Sequence, residues 1–251
     1  ESIIQNLIKE HDIRCFFIQN QQPKTVTQNC NIGLSNCGGK YFQVIACDDV
    51  MLPDKILNQV ILFEILPNDY ACIYGDTLKI DEESNIISKE TEFERLRRIL
   101  DRNDMPKGGL KDELSERPFI HAPTVLLRTN VIKAIGGYDK EFWFEDWPMW
   151  IKLSYLGYYF QPINEVNVHY RILSTSLDRN RPIQFYTTHI NTFKKYRKYL
   201  KMKSKGLRNH WLIGLIHLKK YNLFLFFKES LYFLFCTKDF RIRTLFKLVF
   251  G

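Results

Sequence analysis

Short apolar runs alternate with segments of helical period over the first 170 or so residues, and this limits the fold more than any other feature of the sequence. Runs suited to strands occupy residues 13–18, 41–46, 71–74, 124–127, 158–162 and 165–171. Between them, residues 2–10 place Ile3, Ile4, Leu7 and Ile8 on one helical face. Residues 27–37 read as a helix stopped by Gly38-Gly39, and 53–66 as a helix with Pro53 near its start and Pro67 beyond its end. Residues 129–134 form a short helix before Gly136-Gly137, and 147–156 a helix closed by Gly157. The charged stretch 79–120 reads as a helix plus loops. Strands alternating with helices predict an α/β fold with a largely parallel sheet.

Charge divides the chain into two parts. The formal charge is +8, but residues 1–180 carry 20 Lys/Arg against 26 Asp/Glu, and residues 181–251 carry 16 against 2. The expected organisation is therefore a mildly acidic body, 1–180, and a strongly basic helical region, 181–251, that suits an anionic partner. At 45% hydrophobic residues the chain is a packed globular protein, not a disordered one. No uninterrupted apolar stretch reaches the ~18–20 residues of a membrane-spanning helix. The six cysteines form no Cys-x-x-Cys pair. Cys15, Cys47 and Cys72 lie in or beside apolar runs, so they are expected as buried, reduced thiols rather than disulfides or zinc ligands.

Two acidic pairs stand where chemistry is expected. In open α/β sheets ligands bind beyond the carboxyl ends of strands. Asp48-Asp49 directly follows the apolar run 41–46. Two such carboxylates can hold a hard divalent cation beside phosphate oxygens, or simply form a turn that caps the next helix. Glu145-Asp146 precedes a helix with Pro148 in its first turn. The positive end of that helix favours an ionised Asp146, which is either a helix cap or a general base. Trp143, Trp147 and Trp150 crowd this segment, as sugar-facing rings or as core.

These pieces occur in a recognisable order. Asn31-Ile32-Gly33-Leu34, Gly39-Lys40-Tyr41, Ala46-Cys47-Asp48-Asp49, Pro53-Asp54-Lys55-Ile56, Ile135-Gly136-Gly137-Tyr138-Asp139 and Glu145-Asp146-Trp147 resemble the motifs of family 2 glycosyltransferases, especially bacterial enzymes of surface polysaccharide synthesis. The resemblance covers about residues 1–178. It implies the GT-A fold, a Rossmann-like mixed sheet flanked by helices, here with a basic, aromatic-rich helical C-terminal extension. It also implies a nucleotide-sugar donor, Mn²⁺ or Mg²⁺, and an inverting displacement.

By position, the resemblance makes Asp49 the metal ligand and Asp146, with Glu145 beside it, the base. Asn31, Asp48, Asp76 and Arg171 fall on the donor side. His121 and Trp147 fall on the acceptor side. The chain departs from the family pattern in three places. The opening strand with its Pro-Thr-Tyr-Asn-like turn would lie upstream of Glu1, Ala46 replaces a frequent first Asp, and Leu173 replaces a His after Tyr170-Arg171. The first and third of these leave open the alternative of a non-catalytic, membrane-associated member of the same fold.

The basic end mixes Lys194-Lys195, Arg197-Lys198, Lys219-Lys220 and Lys228 with blocks of Phe between Phe224 and Phe250. Basic residues beside large apolar faces fit helices lying in a membrane interface. No nucleic-acid motif is present, and nucleic acid is not expected as a partner. The expected setting is peripheral attachment to the cytoplasmic face of a bacterial plasma membrane, with a lipid-linked saccharide as acceptor.

Overall fold

The computed structural model describes residues 2–12, 15–174, 183–196 and 205–237. The chain opens with α1 (Ser2–Glu10), α2 (Val26–Asn36), β1 (Tyr41–Phe42), β2 (Val50–Met51) and α3 (Lys55–Ile65). The long strand β3 (Tyr70–Ile80) leads to α4 (Glu92–Leu100) and α5 (Lys111–Glu116). A 3-10 turn (Ala122–Thr124), β4 (Leu126–Arg128), α6 (Thr129–Ala134), α7 (Asp146–Tyr155) and β5 (Tyr159–Arg171) complete the body. Three helices follow: α8 (Ile183–Tyr196), α9 (Lys205–Tyr221) and α10 (Leu223–Thr237). Local chemistry sets several boundaries. Thr25 with Gln28 and Thr91 with Glu94 form capping boxes that satisfy the first N–H groups of α2 and α4.

The strands form one five-stranded sheet in the order β1-β4-β3-β5-β2. Only β3 and β5 pair in parallel; every other neighbouring pair is antiparallel. The sheet is therefore mixed rather than largely parallel. β4 sits between β1 and β3 and runs against both, an arrangement that a short run such as 124–127 does not disclose.

Strand lengths also differ from the sequence expectation. The run at 41–46 pairs only at Tyr41–Phe42. Residues 15–18 join no sheet among the described residues, and Phe16 is 78% exposed; residues 13 and 14 lie outside the description. β3 continues through Gly75-Asp76, because β5 follows it with an irregular register around those residues. A Cβ on Gly75 would come within 2.0 Å of the Asn167 amide, so glycine is required where the strands approach most closely. The same irregular register joins 158–162 and 165–171 into one strand.

Trp147, Trp150 and Leu153 of α7 share one hydrophobic core with Leu127, Phe142 and Phe160. That core runs without a break into Ile190, Phe193, Trp211, Leu215 and Phe233 of α8, α9 and α10. Burying each of these large side chains contributes about 1.5–3 kcal/mol, so the helices after residue 180 are bound to the body by packing. Among the described cysteines, Cys30 and Cys72 are buried free thiols, and burial raises the Cys30 thiol to about 12. Cys15 and Cys47 are exposed, contrary to expectation: residues 15–18 join no sheet among the described residues, and the run 41–46 pairs only at Tyr41–Phe42, short of Cys47. No described helix is long and apolar enough to cross a membrane.

Candidate active site

The sheet gathers the candidate groups at one end. β1, β3 and β5 run in one direction and β4 in the other. The end of β1 that leads to Asp48-Asp49 is therefore also the end where β3 reaches Asp76 and Thr77, β5 reaches Arg171, and His121 and the 3-10 turn enter β4. This is the carboxyl end of the parallel pair, where α/β sheets bind ligands.

Arg171 organises the acidic turn. Its peptide N–H donates to Asp49 Oδ1 at 3.0 Å, and its Nε donates to the Asp48 carbonyl at 2.8 Å. Its Nη1 donates to the carbonyls of Asp81 (2.6 Å) and Glu82 (3.0 Å), and Nη2 to Ser84 Oγ at 2.9 Å. The guanidinium is thus engaged in pinning the 48–49 turn to the turn after β3. Burial, followed by the charge of Asp48, raises the Asp49 carboxyl to about 6, against the lowering effect of the Arg171 N–H. A carboxylate held this way gains from a nearby cation, which would restore the ionised form.

A second strut stands beneath this turn. Lys55 is buried, and its Nζ donates to Gln43 Oε1 at 2.6 Å and to Gln59 Oε1 at 2.8 Å. It joins the stretch that enters the acidic turn to the helix that leaves it. Burial lowers its amine to about 7. No sequence motif marks Lys55 as a buried amine, because its helix places it inward only after docking.

The other acidic pair is held from three sides. Asn31 on α2 receives the Tyr138 N–H (2.9 Å) and donates to the Tyr138 carbonyl (2.8 Å). Thr27 Oγ1 donates to the Phe142 carbonyl at 2.9 Å. From α8, Thr188 Oγ1 accepts the Trp143 N–H at 2.9 Å. Asp139 takes Lys152 (3.0 Å), Lys195 (2.9 Å) and the Tyr196 hydroxyl. Asp146 Oδ1 accepts the Trp147 N–H at 2.6 Å, at the first turn of α7. Burial, then the charge of Asp146, raises Glu145 to about 7. Like charges side by side resist joint ionisation, so the pair holds one proton near neutrality.

Glu145 lines a small cavity of about 10 Å³, room for roughly one water, together with Val44, Ala122, Val125, Leu127, Tyr138 and Trp150. Val44 lies just before the Asp48-Asp49 turn, and Ala122 adjoins His121. Asp48, Asp49, His121 and Asp146 are not among the residues that line it. His121 stands across from β3 with Nδ1 3.4 Å from Thr77 Oγ1, and its ring is 5.8 Å from that of Tyr170. Its Nε2 lies 3.8 Å from Glu92, and burial keeps its pKa below the ordinary value despite that carboxylate.

The other expected site residues lie deeper. Trp147 is 1% exposed, and its Nε1 donates to the Leu114 carbonyl at 2.8 Å. It belongs to the core rather than to an acceptor-facing wall, because α5 covers it. Asp76 is buried, and its Oδ1 accepts the N–H groups of Thr77 and Phe93, both at 2.8 Å. Asn31, Asp76 and Arg171 therefore hold backbone in place. The Asp139–Lys195–Tyr196 contacts were not foreseen; the Asp139 end of the Gly-Gly-Tyr-Asp motif was the only signal in the sequence.

Among the described residues no group of three His, Cys, Asp or Glu is arranged to hold a metal ion. The donor set at the acidic turn fits a hard cation that takes one or two protein carboxylates and completes its shell with other oxygens.

The mixed sheet, with the Asp48-Asp49 pair at the carboxyl end of its parallel strands, invites comparison with known proteins. The sequence model of glycosyl transferase family 2 matches residues 1–136, and the chain belongs to that family. It is 26% identical over 212 residues to an uncharacterized glycosyltransferase of Methanocaldococcus jannaschii, covering 82% of this chain and 64% of that protein. It is 25% identical over 187 residues to the amylovoran biosynthesis glycosyltransferase AmsE of Erwinia amylovora, covering 74% and 64%. The chain thus spans about 64% of the length of these relatives. Among solved structures, a mannosyltransferase of Pyrobaculum calidifontis, in complex with GDP-mannose and Mn²⁺, superposes with a TM-score of 0.54 at 12% identity. The superposition covers 99% of this chain and 65% of that one, and the shared fold is GT-A.

Proposed function

We propose that this chain transfers a sugar, with inversion, from a nucleotide-diphosphate donor to a hydroxyl of a lipid-linked saccharide in surface polysaccharide synthesis. The observation that supports this reading is the Asp48-Asp49 turn, pinned by Arg171 at the carboxyl end of the parallel strands β3 and β5. The amylovoran enzyme AmsE supports the polysaccharide setting, and the GDP-mannose and Mn²⁺ of the Pyrobaculum enzyme support the donor class and a divalent cation.

In this reading the acceptor O–H loses its proton to the Glu145-Asp146 pair. The acceptor oxygen bonds to the anomeric carbon, and the bond from that carbon to the diphosphate oxygen breaks. Asp146 is the base because the first turn of α7 fixes its carboxylate. Glu145, raised by burial, competes with Asp146 for one proton, so the pair is fully basic only after that proton is lost. Asp49, with Asp48 beside it, would hold Mn²⁺ or Mg²⁺, which supplies positive charge to the leaving diphosphate. His121 presents a neutral imidazole to the acceptor side. Arg171, Asn31 and Asp76 act as positioning residues through the backbone they hold. The basic helices after residue 180 bring the enzyme to an anionic membrane surface on the cytoplasmic side.

Calorimetry with a panel of nucleotide sugars, with and without Mn²⁺, tests the reading. One donor should bind in a Mn²⁺-dependent manner, and Asp49→Ala should abolish that dependence. Identical titrations for the variant would remove Asp49 from the metal site.

A further inference from the structure

α10 carries large apolar side chains on both of its faces. Its inward face contains Glu229 (6% exposed) and Ser230 (7%) beside Phe226 and Phe233. Glu229 Oε1 accepts from Lys194 Nζ of α8 at 2.6 Å. Its outward face carries Leu223 (58% exposed), Phe224 (80%), Phe227 (62%) and Leu231 (69%). A helix facing water normally keeps its large apolar residues on the inward face and polar residues on the outward one. Exposed side by side, these four residues form a patch of the kind that marks an interaction surface.

The charges on this unit identify what the patch meets. Glu229 is the only acidic residue in positions 205–237, and it is buried in an ion pair. The charges left outward are positive: Lys220 at the end of α9 and Lys228 within the apolar face itself are both exposed. A second copy of the same face would set Lys228 against Lys228 in a twofold contact, which opposes self-association. An anionic lipid surface suits both features, taking the Phe and Leu side chains into its acyl boundary and the ammonium groups among its phosphates. The 15 residues of α10 extend about 22 Å, short of the roughly 30 Å hydrocarbon core, so the helix lies along the surface.

We propose that the outward face of α10, formed by Leu223, Phe224, Phe227 and Leu231 with Lys220 and Lys228, is an interfacial membrane-binding surface selective for anionic lipid. This deepens the membrane setting of the proposed function by assigning it to one helix face. α10 packs on α9, and α8 holds Trp143 and Asp139 of the segment before Asp146. The lipid surface is thereby joined to the acceptor side through packed helices.

Flotation of the full chain with vesicles of phosphatidylcholine alone, or with about one third phosphatidylglycerol, tests the proposal. Wild type should partition at least about tenfold more strongly onto the anionic vesicles, and added salt should weaken the binding. The single variant Phe227→Ser and the triple variant F224S/F227S/L231S should lose binding progressively. Lys220→Glu with Lys228→Glu should remove the preference for anionic lipid. All of these variants should keep wild-type melting and wild-type donor binding, since the altered side chains are exposed. Absence of vesicle binding by wild type overturns the proposal, as does unchanged binding by the triple variant. Concentration-dependent dimers that Phe227→Ser dissolves, without vesicle binding, overturn it in favour of a second copy. Single-strand nucleic acid competing with vesicles at matched salt overturns the choice of lipid. Vesicle binding without donor binding would instead refute the enzymatic reading and leave the surface intact.

Discussion

Replacing Lys55 by Met should change how stability depends on pH. Lys55 is 2% exposed, and its Nζ meets two amide oxygens, with no carboxylate paired to it among the described residues. Burial lowers its pKa from 10.5 to about 7 in the folded protein. The unfolded chain keeps the ordinary value near 10.4 and so binds the proton more tightly. Below pH 7 both states are charged, and the folded state bears the whole cost of burying an ammonium. Between pH 7 and 10.4 the folded amine is neutral while the unfolded one is charged, so stability rises by about 1.4 kcal/mol per pH unit. From pH 7 to 9 this amounts to roughly 2–3 kcal/mol, an order-of-magnitude ceiling. Met has similar length and no charge, but leaves the Gln43 and Gln59 oxygens without their donor. Lys55→Met should therefore match or exceed wild type at pH 7 and fall below it at pH 9. Denaturant midpoints at pH 7, 8 and 9 for both proteins measure this. Parallel pH dependences would refute the argument and show that the Lys55 amine stays charged.

Two further expectations concern the site. The rate of wild type should rise with pH through about 7, as the Glu145-Asp146 pair loses its shared proton, and level off above it. Glu145→Gln removes the partner charge, so the acid limb of the pH–rate profile should move to lower pH while the rate at pH 8 stays within about tenfold of wild type. Arg171→Lys keeps the hydrogen bond from its peptide N–H to Asp49 but loses the guanidinium contacts to the Asp48, Asp81 and Glu82 carbonyls and to Ser84. Mn²⁺-dependent donor affinity should drop about tenfold by calorimetry, with a fall of several degrees in Tm.

The helices were the most legible part of the chain, because caps and stops are local. Gly38-Gly39 after α2, and Gly136-Gly137 after α6, placed boundaries to within a residue or two. The sheet was less legible. Whether 41–46 pairs along its length depends on which strands flank it, and β4 reverses the sheet direction with only three residues. Site residues divide in the same way. Asp48-Asp49 and Glu145-Asp146 stand out because adjacent carboxylates at element ends have few structural uses. Asn31, Asp76 and Arg171 occupy motif positions, yet each holds a backbone group far along the chain, 17 to 123 residues away, which no local pattern displays. Trp147 looked like a sugar platform only until α5 was seen to cover it. The split in charge marked the chain after residue 180 as distinct, but the apolar outward face of α10 needed the packing of Glu229 against Lys194 to be seen.

The central claim is that Asp146 takes the acceptor proton in sugar transfer, and the initial rate of Asp146→Asn with donor, acceptor and Mn²⁺ tests it most directly. The variant keeps the shape of the side chain and an oxygen for the Trp147 N–H, but loses basicity. The account predicts a rate about 10³-fold below wild type, with donor affinity within about threefold. A rate within tenfold of wild type would contradict it.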